Sequence, residues 1–194
     1  MPDPSTTAQD ILRCARSLLA AGGYDSFSYA DIAGIIGIRN ASIHYHFPAK
    51  SDLVRVLVSQ YREEAEAGMA ELSRRVPEPL GRLRAYIGYW EACIGDGSAP
   101  LCICALLAGQ MPILPEAVAR EVRSYFNALS AWLTQVLEAA ARSGAVRLTQ
   151  PADAEAEAFM ATVHGAMFSA RAYGDAKVFG SITQAQIRRL AGAG

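Results

Sequence analysis

The sequence predicts an all-α protein of about nine helices, and three observations support this fold class. Apolar residues recur at three- and four-residue intervals along most of the chain. Alanine is abundant and runs of β-branched residues are few, which favours helix. The segments between the periodic stretches are short, as is typical of helices packed on helices. With 194 residues, of which 52% are hydrophobic, the chain can build a substantial core in one or two domains.

The apolar spacing also predicts where each helix lies. The predicted helices cover 6–21, 28–36, 40–47, 50–74, 79–94, 100–110, 115–143, 151–173 and 178–191. Residues that end helices separate them, namely Pro77, Pro79, Pro112, Gly144 and the turn at 95–98. We find no internal repeat and no low-complexity linker in the sequence.

The segment over 28–36 has the features of a short capped helix. Ser28 and Asp31 have the spacing of a capping box, in which each side chain binds the other residue's backbone. Gly37 follows the last apolar residue, where a helix commonly ends in left-handed geometry. Three residues form one stripe that we expect to be buried: Ile32, Ile35 and Ile36.

A second short helix follows, starting at Asn40 or, as an alternative, Arg39. Ile43 and Phe47 are four residues apart and are expected to face inward, and Pro48 ends the helix. Small and polar residues occupy its other faces, and Lys50 comes next, where we expect its side chain to be free to reach a phosphate. Two short helices joined by a glycine turn, the second with a polar outer face, suit a helix-turn-helix in a DNA major groove.

These positions resemble the amino-terminal signature of TetR-type bacterial transcriptional regulators. The matching residues are Ser28, Ile32, Ala33, Gly37, Ile38, Ile43, His44, His46, Phe47 and Lys50. The motif resemblance covers about the first 55 residues, and beyond them only architecture and length match. It implies a DNA-binding domain over 1–50 and a helical effector-binding and dimerisation domain over 51–194. The implied function is a repressor that binds an operator in double-stranded DNA as a homodimer and is released by a small effector.

The resemblance also implies residue roles at the DNA. Phosphate contacts are implied for Ser28, Tyr45, His46 and Lys50, and contacts to bases or nearby phosphates for Asn40, Ala41, Ser42 and His44. Arg39 is a further candidate DNA contact. Three positions depart from the usual pattern. His44 replaces a tyrosine, so the side chain at this position has a shorter reach to the DNA and any contact it makes depends on pH. Arg39 and Ala49 each replace a residue that usually caps a helix, so we expect the helix after Ala49 to begin with less well satisfied amides.

In the family, the last two long helices form a four-helix bundle with the partner, which here implies 152–173 and 178–191. Candidate interface residues are Phe159, Met160, Val163, Met167, Ile187 and Leu190. The alternative is that these side chains form the internal core of one subunit. A two-fold dimer would bring two reading helices about 34 Å apart, onto successive major grooves.

The family also binds its effector among the middle helices. Candidate lining residues are Tyr86, Trp90, Cys93, Cys102, Met111, Phe126, His164 and Phe168, although aromatic residues at helical spacing usually form plain core. Because this set contains no aspartate, glutamate, lysine or arginine, we expect a neutral, apolar or aromatic effector. In the family, such an effector shifts the population toward a state that releases DNA.

A thiol-based sensor of electrophiles or oxidants with the same fold is the alternative. Cys102 is predicted to lie in the first turn of a short helix, where the amino-terminal dipole stabilises a thiolate. Cys102 and Cys104 would point about 200° apart on a helix, which argues against a joint metal site. We find no catalytic, cofactor-binding or metal-binding motif, so an all-helical enzyme or a protein-interaction bundle is a remote alternative.

Charge and hydropathy complete the prediction. The formal net charge is −1, and within 28–50 Arg39 and Lys50 outweigh Asp31, so the DNA-facing surface is only weakly basic. The start of the chain lacks the basic and apolar blocks of a signal peptide. The longest uncharged run, over 97–115, contains three prolines and would not span a bilayer as one helix. We therefore expect a cytoplasmic protein.

Overall fold

The computed structural model describes residues 4–97, 99 and 101–192, with side chains from residue 7 onward. This part of the chain folds into nine α-helices and contains no strand, which confirms the predicted all-α class. The helices are α1 (Pro4–Gly22), α2 (Tyr29–Ile36), α3 (Asn40–His46), α4 (Lys50–Arg75), α5 (Pro79–Gly95), α6 (Ile103–Ala108), α7 (Glu116–Arg142), α8 (Ala152–Tyr173) and α9 (Lys177–Leu190). Within the described ranges, every helix is too short or too polar to cross a membrane.

The predicted helices agree closely with the observed ones, except around residue 100. The predicted helix over 100–110 is shorter in the structure, where α6 covers Ile103–Ala108, and its predicted start at residue 100 lies outside the described residues. A turn closed by the Gln110 amide and the Leu107 carbonyl oxygen ends α6. A short 3₁₀ turn over Met111–Ile113 follows, because Pro112 disfavours α-helical geometry at the residue before it.

The chain divides into two compact units. The first contains the residues up to Glu63 together with Ile103–Ser124, and the second contains Glu64–Cys102 together with the chain from Tyr125 onward. Helices α4 and α7 therefore each contribute to both units. The functional division at residue 50 stays a prediction.

The first unit has a core built from the inner faces of its short helices. In this unit α1 packs against α2, α3 and α6, and α2 packs against α3. Fully buried side chains of this unit include Ile11, Ala15, Leu19, Ile32, Ile43 and Leu53. Burying such side chains supplies the main driving force that holds three short helices together, since helices this short are marginal alone.

The second unit is dominated by the antiparallel pair α8 and α9, which pack along their length. Phe159 and Phe179 are fully buried in this unit. At the far end of the pair, Glu155 is 2% exposed and accepts hydrogen bonds from Arg189 and from the Thr149 hydroxyl. These bonds, led by those from Arg189, lower the pKa of Glu155 to about 2, so its carboxylate stays charged and fixes the end of α9.

Candidate nucleic-acid interface and buried aromatic cluster

Helix α2 begins and ends as the sequence predicts. The Ser28 hydroxyl oxygen accepts from the Asp31 amide at 3.3 Å, and the Asp31 carboxylate accepts from the Ser28 amide at 2.7 Å. The hydrogen bonds from Ser28 lower the pKa of the Asp31 carboxyl. Gly37 ends the helix in left-handed geometry with φ of 72°. The predicted capping box and glycine turn are both confirmed, and they fix the approach of the chain to α3.

The predicted stripe of isoleucines is wrong at Ile35. Ile32 is fully buried, whereas the Ile35 side chain is 63% exposed and Ile36 is partly exposed. Because α2 has only eight residues, its buried face is limited to the side of Tyr29 and Ile32. Ile35 and Ile36 instead line an open groove of about 310 Å³ beside Cys14 and Leu18 of α1.

Helix α3 is anchored by apolar residues and presents polar ones. Ile43 and Phe47 are buried, as predicted. The outward positions hold most of the predicted DNA contacts: Arg39, Asn40, Ala41, His44 and Tyr45 are exposed, and Ser42 and His46 are partly exposed. Ser28 is also exposed. The Tyr45 side chain, at 81% exposure, stands out from the surface next to the His46 ring.

Tyr29 positions α3, a role that the sequence analysis missed. Its buried hydroxyl donates to the Phe47 carbonyl oxygen at 2.9 Å, and its ring meets the His44 ring edge-on with centroids 4.8 Å apart. Burial raises the pKa of Tyr29 to about 12, so the hydroxyl keeps its proton. His44 Nδ1 lies 3.2 Å from the Pro48 carbonyl oxygen, and when it donates there Nε2 is left as an acceptor.

The expectation that Lys50 has a free ammonium group is corrected by the structure. Its Nζ donates to the Phe27 carbonyl oxygen and lies 4.4 Å from the centroid of the Phe27 ring and 4.9 Å from that of Tyr24. Burial lowers the pKa of Lys50, which the charges of Asp25 and Asp31 partly offset. Lys50 therefore ties the start of α4 to the segment that precedes α2.

The backbone amides at the start of α4 are also better provided with hydrogen-bond acceptors than Ala49 at the capping position suggests. The Ala49 amide donates to the Asp52 carboxylate at 3.1 Å, so Asp52 supplies half of a capping box from three residues downstream. This bond could have been predicted from the sequence, because an acidic residue at the third helical position commonly accepts a hydrogen bond from the backbone amide of the capping residue.

The structure corrects the candidate dimer residues. All six predicted side chains are buried within the subunit: Phe159, Met160, Val163, Met167, Ile187 and Leu190. Large apolar residues of α8 and α9 pack inward, and small residues occupy the outer side of α8. The exposed outer positions, at alternating four- and three-residue spacing, are Ala154, Ala158, Ala161, Gly165, Phe168 and Ala172. We call this set the outer α8 stripe.

The candidate effector residues separate into two groups. Tyr86, Trp90, Cys102 and His164 are buried in the second unit, and the half-buried Phe126 ring lies 5.4 Å from that of His164. The others do not join this cluster as expected: Phe168 is 40% exposed, Cys93 is partly exposed, and Met111 lies in the first unit. Burial lowers the pKa of His164 to about 4, so its ring is neutral near pH 7.

The predicted position of Cys102 is also corrected. It precedes α6 instead of lying in its first turn, it is fully buried, and its Sγ donates to the Tyr125 hydroxyl at 3.3 Å. An accessible thiolate, the physical basis of the redox alternative, is therefore not present at this position. Where side chains are described, no three potential ligands among histidine, cysteine, aspartate and glutamate cluster closely enough to hold a metal ion.

Comparison with known proteins agrees with this arrangement. The profile of bacterial regulatory proteins of the tetR family matches residues 11–57, and that of the tetracyclin repressor-like carboxy-terminal domain matches 79–186. No curated protein matches the sequence.

Solved structures resemble the chain over nearly its whole length. A TetR-family transcriptional regulator from Agrobacterium tumefaciens is 61% identical, with a TM-score of 0.96 over 97% of this chain and 100% of that one. A TetR transcriptional regulator from Legionella pneumophila is 25% identical, with a TM-score of 0.83 over 93% and 95%. The regulator FadR from Bacillus subtilis, solved in complex with stearoyl-CoA, shares the fold at 14% identity, with a TM-score of 0.73 over 94% and 98%. The helix-turn-helix, both family profiles and the 61% identical relative together establish that this chain belongs to the TetR family of bacterial transcriptional regulators.

Proposed function

We propose that this protein is a repressor that binds an operator in double-stranded DNA as a homodimer and releases it when a small effector binds. Members of the TetR family are DNA-binding regulators and not enzymes, and this chain is one of them. The observation that carries the proposal is the geometry of α3, whose polar residues are exposed while Ile43 and Phe47 anchor it. A bacterial regulator that binds DNA must be in the same compartment as the chromosome, so the proposal includes a cytoplasmic location.

The exposed residues divide into two proposed roles at the DNA. Asn40, Ala41, Ser42 and His44 lie near the start and middle of α3 and read base edges, because an outward α-helix fits the major groove. Ser28, Arg39, Tyr45 and His46 contact phosphates. Lys50 contributes mainly by positioning, since its ammonium group already donates to the Phe27 carbonyl oxygen. The proposed DNA-binding domain covers 1–50, and effector binding and dimerisation belong to 51–194.

The DNA assignment is tested with labelled duplexes from the protein's own promoter region. Replacing Arg39 by alanine should weaken binding to specific and random duplexes alike and reduce the salt slope by about one. Ser42→Ala should instead change the preference among operator variants. Arg142, exposed at the end of α7, offers a matched control because Arg142→Ala removes the same charge outside α3. Equal effects of Arg39→Ala and Arg142→Ala would refute the assignment.

We propose that the outer α8 stripe forms the centre of the dimer interface. Its alternating four- and three-residue spacing is that of a seam between two helices, and its small side chains permit close approach. Ala161 lies in the middle of the stripe, so Ala161→Arg should place a charge in the interface and give monomers in sedimentation equilibrium. Ala70→Arg makes the same change at an exposed position of α4 and should leave the dimer intact. A monomeric wild-type protein would contradict the proposal.

We propose that the effector is small, neutral, and apolar or aromatic. The buried candidates are uncharged, since the low pKa of His164 keeps its ring neutral, and a charged ligand would be costly among them. The complex of FadR with stearoyl-CoA supports the capacity of this fold to hold a small molecule. Release of a labelled operator by neutral aromatic compounds tests the proposal, and release by charged compounds alone would refute it.

A further inference from the structure

Three buried polar atoms on aromatic side chains of the second unit lack hydrogen-bond partners. They are Tyr86 Oη, Trp90 Nε1 and His164 Nε2, and the only comparable atom among the described residues is Gln186 Nε2. By contrast, Trp132 Nε1 donates to Ser73 Oγ at 2.9 Å, and the Tyr29 hydroxyl donates to the Phe47 carbonyl oxygen. Buried polar groups are rarely left without a partner, because desolvating them without compensation is costly. A group of three on aromatic residues of one unit therefore requires an explanation.

Ring contacts place Tyr86 among other aromatic residues of this unit. Tyr86 lies 5.8 Å from Trp132 and 6.5 Å from Phe159 between ring centroids. Tyr86 and Trp90 are four residues apart on α5, so their buried side chains share one face of the helix. Burial raises the pKa of Tyr86, and its neighbours Trp90 and Tyr125 offset part of that rise.

Tyr125 continues the cluster toward His164. Its ring meets that of Phe126 at 5.7 Å, and Phe126 meets His164 at 5.4 Å. Side chains of α7 thus contact both Tyr86 on α5 and His164 on α8.

The cluster has no buried charge to offer a ligand. Among the described residues, the buried polar or charged side chains are Glu155, His164 and Thr183. Glu155 is paired with Arg189, and the Thr183 hydroxyl donates to the Phe179 carbonyl oxygen at 2.9 Å. A charged ligand would therefore lie in an aromatic environment without an opposite charge, which is strongly unfavourable. The hydrogen-bonding groups that remain are the three unpartnered atoms.

We infer that the effector is an uncharged aromatic molecule carrying an oxygen acceptor, such as a ketone, which accepts hydrogen bonds from Trp90 Nε1 and the Tyr86 hydroxyl. This inference rests on the effector binding proposed above. The indole N–H can only donate, so the matching group on the ligand must accept. A pure hydrocarbon would leave both donors unsatisfied and would bind less tightly.

Three probes of similar size test the inference by calorimetric titration of the full-length protein. Acetophenone carries a neutral acceptor, ethylbenzene lacks it, and benzoate carries a charge. Acetophenone should bind roughly tenfold more tightly than ethylbenzene, which is the effect of one net hydrogen bond, and benzoate should bind most weakly. Equal binding of acetophenone and ethylbenzene, strongest binding of benzoate, or no binding of acetophenone would each overturn the inference.

Matched variants locate the donors. In Trp90→Phe combined with Tyr86→Phe, the ring shapes remain but the donors are lost, so the preference for acetophenone over ethylbenzene should disappear. Trp132→Phe removes an indole N–H that already has a partner, and the preference should persist. Preference retained in the double variant would overturn the inference, and the wild-type comparison remains decisive if that variant does not fold.

A parallel operator-binding measurement separates this inference from the proposed function. If acetophenone binds with the expected preference but leaves the labelled operator bound, the effector inference stands as a binding site and the proposed release fails. If the operator is released equally by acetophenone and ethylbenzene, the proposed function stands and the acceptor inference fails.

Discussion

Tyr29 demonstrates how one hydroxyl group can set the position of a functional helix. Its ring belongs to the buried face of α2, and its hydroxyl reaches the Phe47 carbonyl oxygen, 18 residues along the chain, at the end of α3. Helical spacing predicts the burial of the ring next to Ile32. The hydroxyl's partner was not predictable, because it depends on the angle at which α2 crosses α3. The same holds for Lys50: its place at the start of α4 was predicted, but its hydrogen bond to the Phe27 carbonyl oxygen was not.

Replacing Tyr29 by phenylalanine should therefore lower stability and weaken operator binding. The change leaves the Phe47 carbonyl oxygen without its buried donor, which we expect to cost about 1–2 kcal/mol in the free energy of unfolding. Urea denaturation measures this cost. Tyr45→Phe removes a hydroxyl from an exposed ring and should leave stability unchanged. Equal stability of the two variants would show that the Tyr29 bond does not hold α3.

His164 should make the protein less stable in mild acid. Its pKa falls from 6.5 to about 4 on folding, so below pH 6.5 the unfolded chain takes up a proton that the folded chain does not bind. Stability is thus full above pH 6.5 and declines toward pH 4, by about 2 kcal/mol between pH 7 and pH 5. The lowered pKa of Glu155 also contributes to stability, but that contribution is lost only below pH 4.5 and does not affect this interval. Urea denaturation at both pH values should show a smaller decline in His164→Gln, and an identical decline would exclude His164 as the cause.

At the scale of elements, the sequence was most informative where local chemistry decides the outcome. The start of α2 at its capping box, its end at Gly37 and the start of α3 at Asn40 all follow from residues within one turn. The prediction was wrong where burial depends on a partner element, as at Ile35. For the same reason, the candidate interface residues on α8 were the large side chains that the subunit buries itself. Periodicity identifies which residues share a face, whereas the packing partner decides which face is buried.

The loop before α2 depends on Gly23 in a way that a substitution can measure. Gly23 has φ of 87°, and a Cβ there would lie 2.3 Å from Gln110 Oε1, which accepts a hydrogen bond from the Tyr24 amide at 2.8 Å. Gly37 has similar geometry but open space around it. We expect Gly37→Ala to cost about 1 kcal/mol from backbone strain alone, and Gly23→Ala to cost more.

A double-mutant cycle identifies the origin of the extra cost. In the Gly23→Ala background, Gln110→Ala should remove the part of the stability loss that comes from the steric clash and leave the part that comes from backbone strain. The two changes should therefore not be additive in the free energy of unfolding. Strict additivity would show that the Gln110 side chain moves away from the new methyl group without an energetic cost.

At the scale of the whole molecule, charge and size limit how DNA can be bound. The chain carries a formal net charge of −1, so general attraction to DNA is weak and affinity must come from the exposed residues of α3, which the proposed dimer would present twice. The family resemblance implied a dimer, but the candidate interface residues were the large ones of α8 and α9, which the subunit uses for its own core.

Dimerisation should also appear in the thermal stability. If folding is coupled to association, the unfolding midpoint of the wild-type protein rises with protein concentration, because mass action favours the dimer. Scanning calorimetry across a range of concentrations should show this rise, and Ala161→Arg should abolish it. A midpoint of the wild-type protein that stays constant with concentration would mean that association adds nothing to its stability.

The placement of the two tryptophans affects how any of these variants is studied. Trp90 and Trp132 are the chain's two indoles, and both lie in the second compact unit. Intrinsic indole emission therefore reports on that unit alone, whereas far-ultraviolet circular dichroism detects helices of both. Melting curves that coincide between the two signals would indicate one cooperative transition, and an earlier dichroism change would reveal the helix-turn-helix unit opening first.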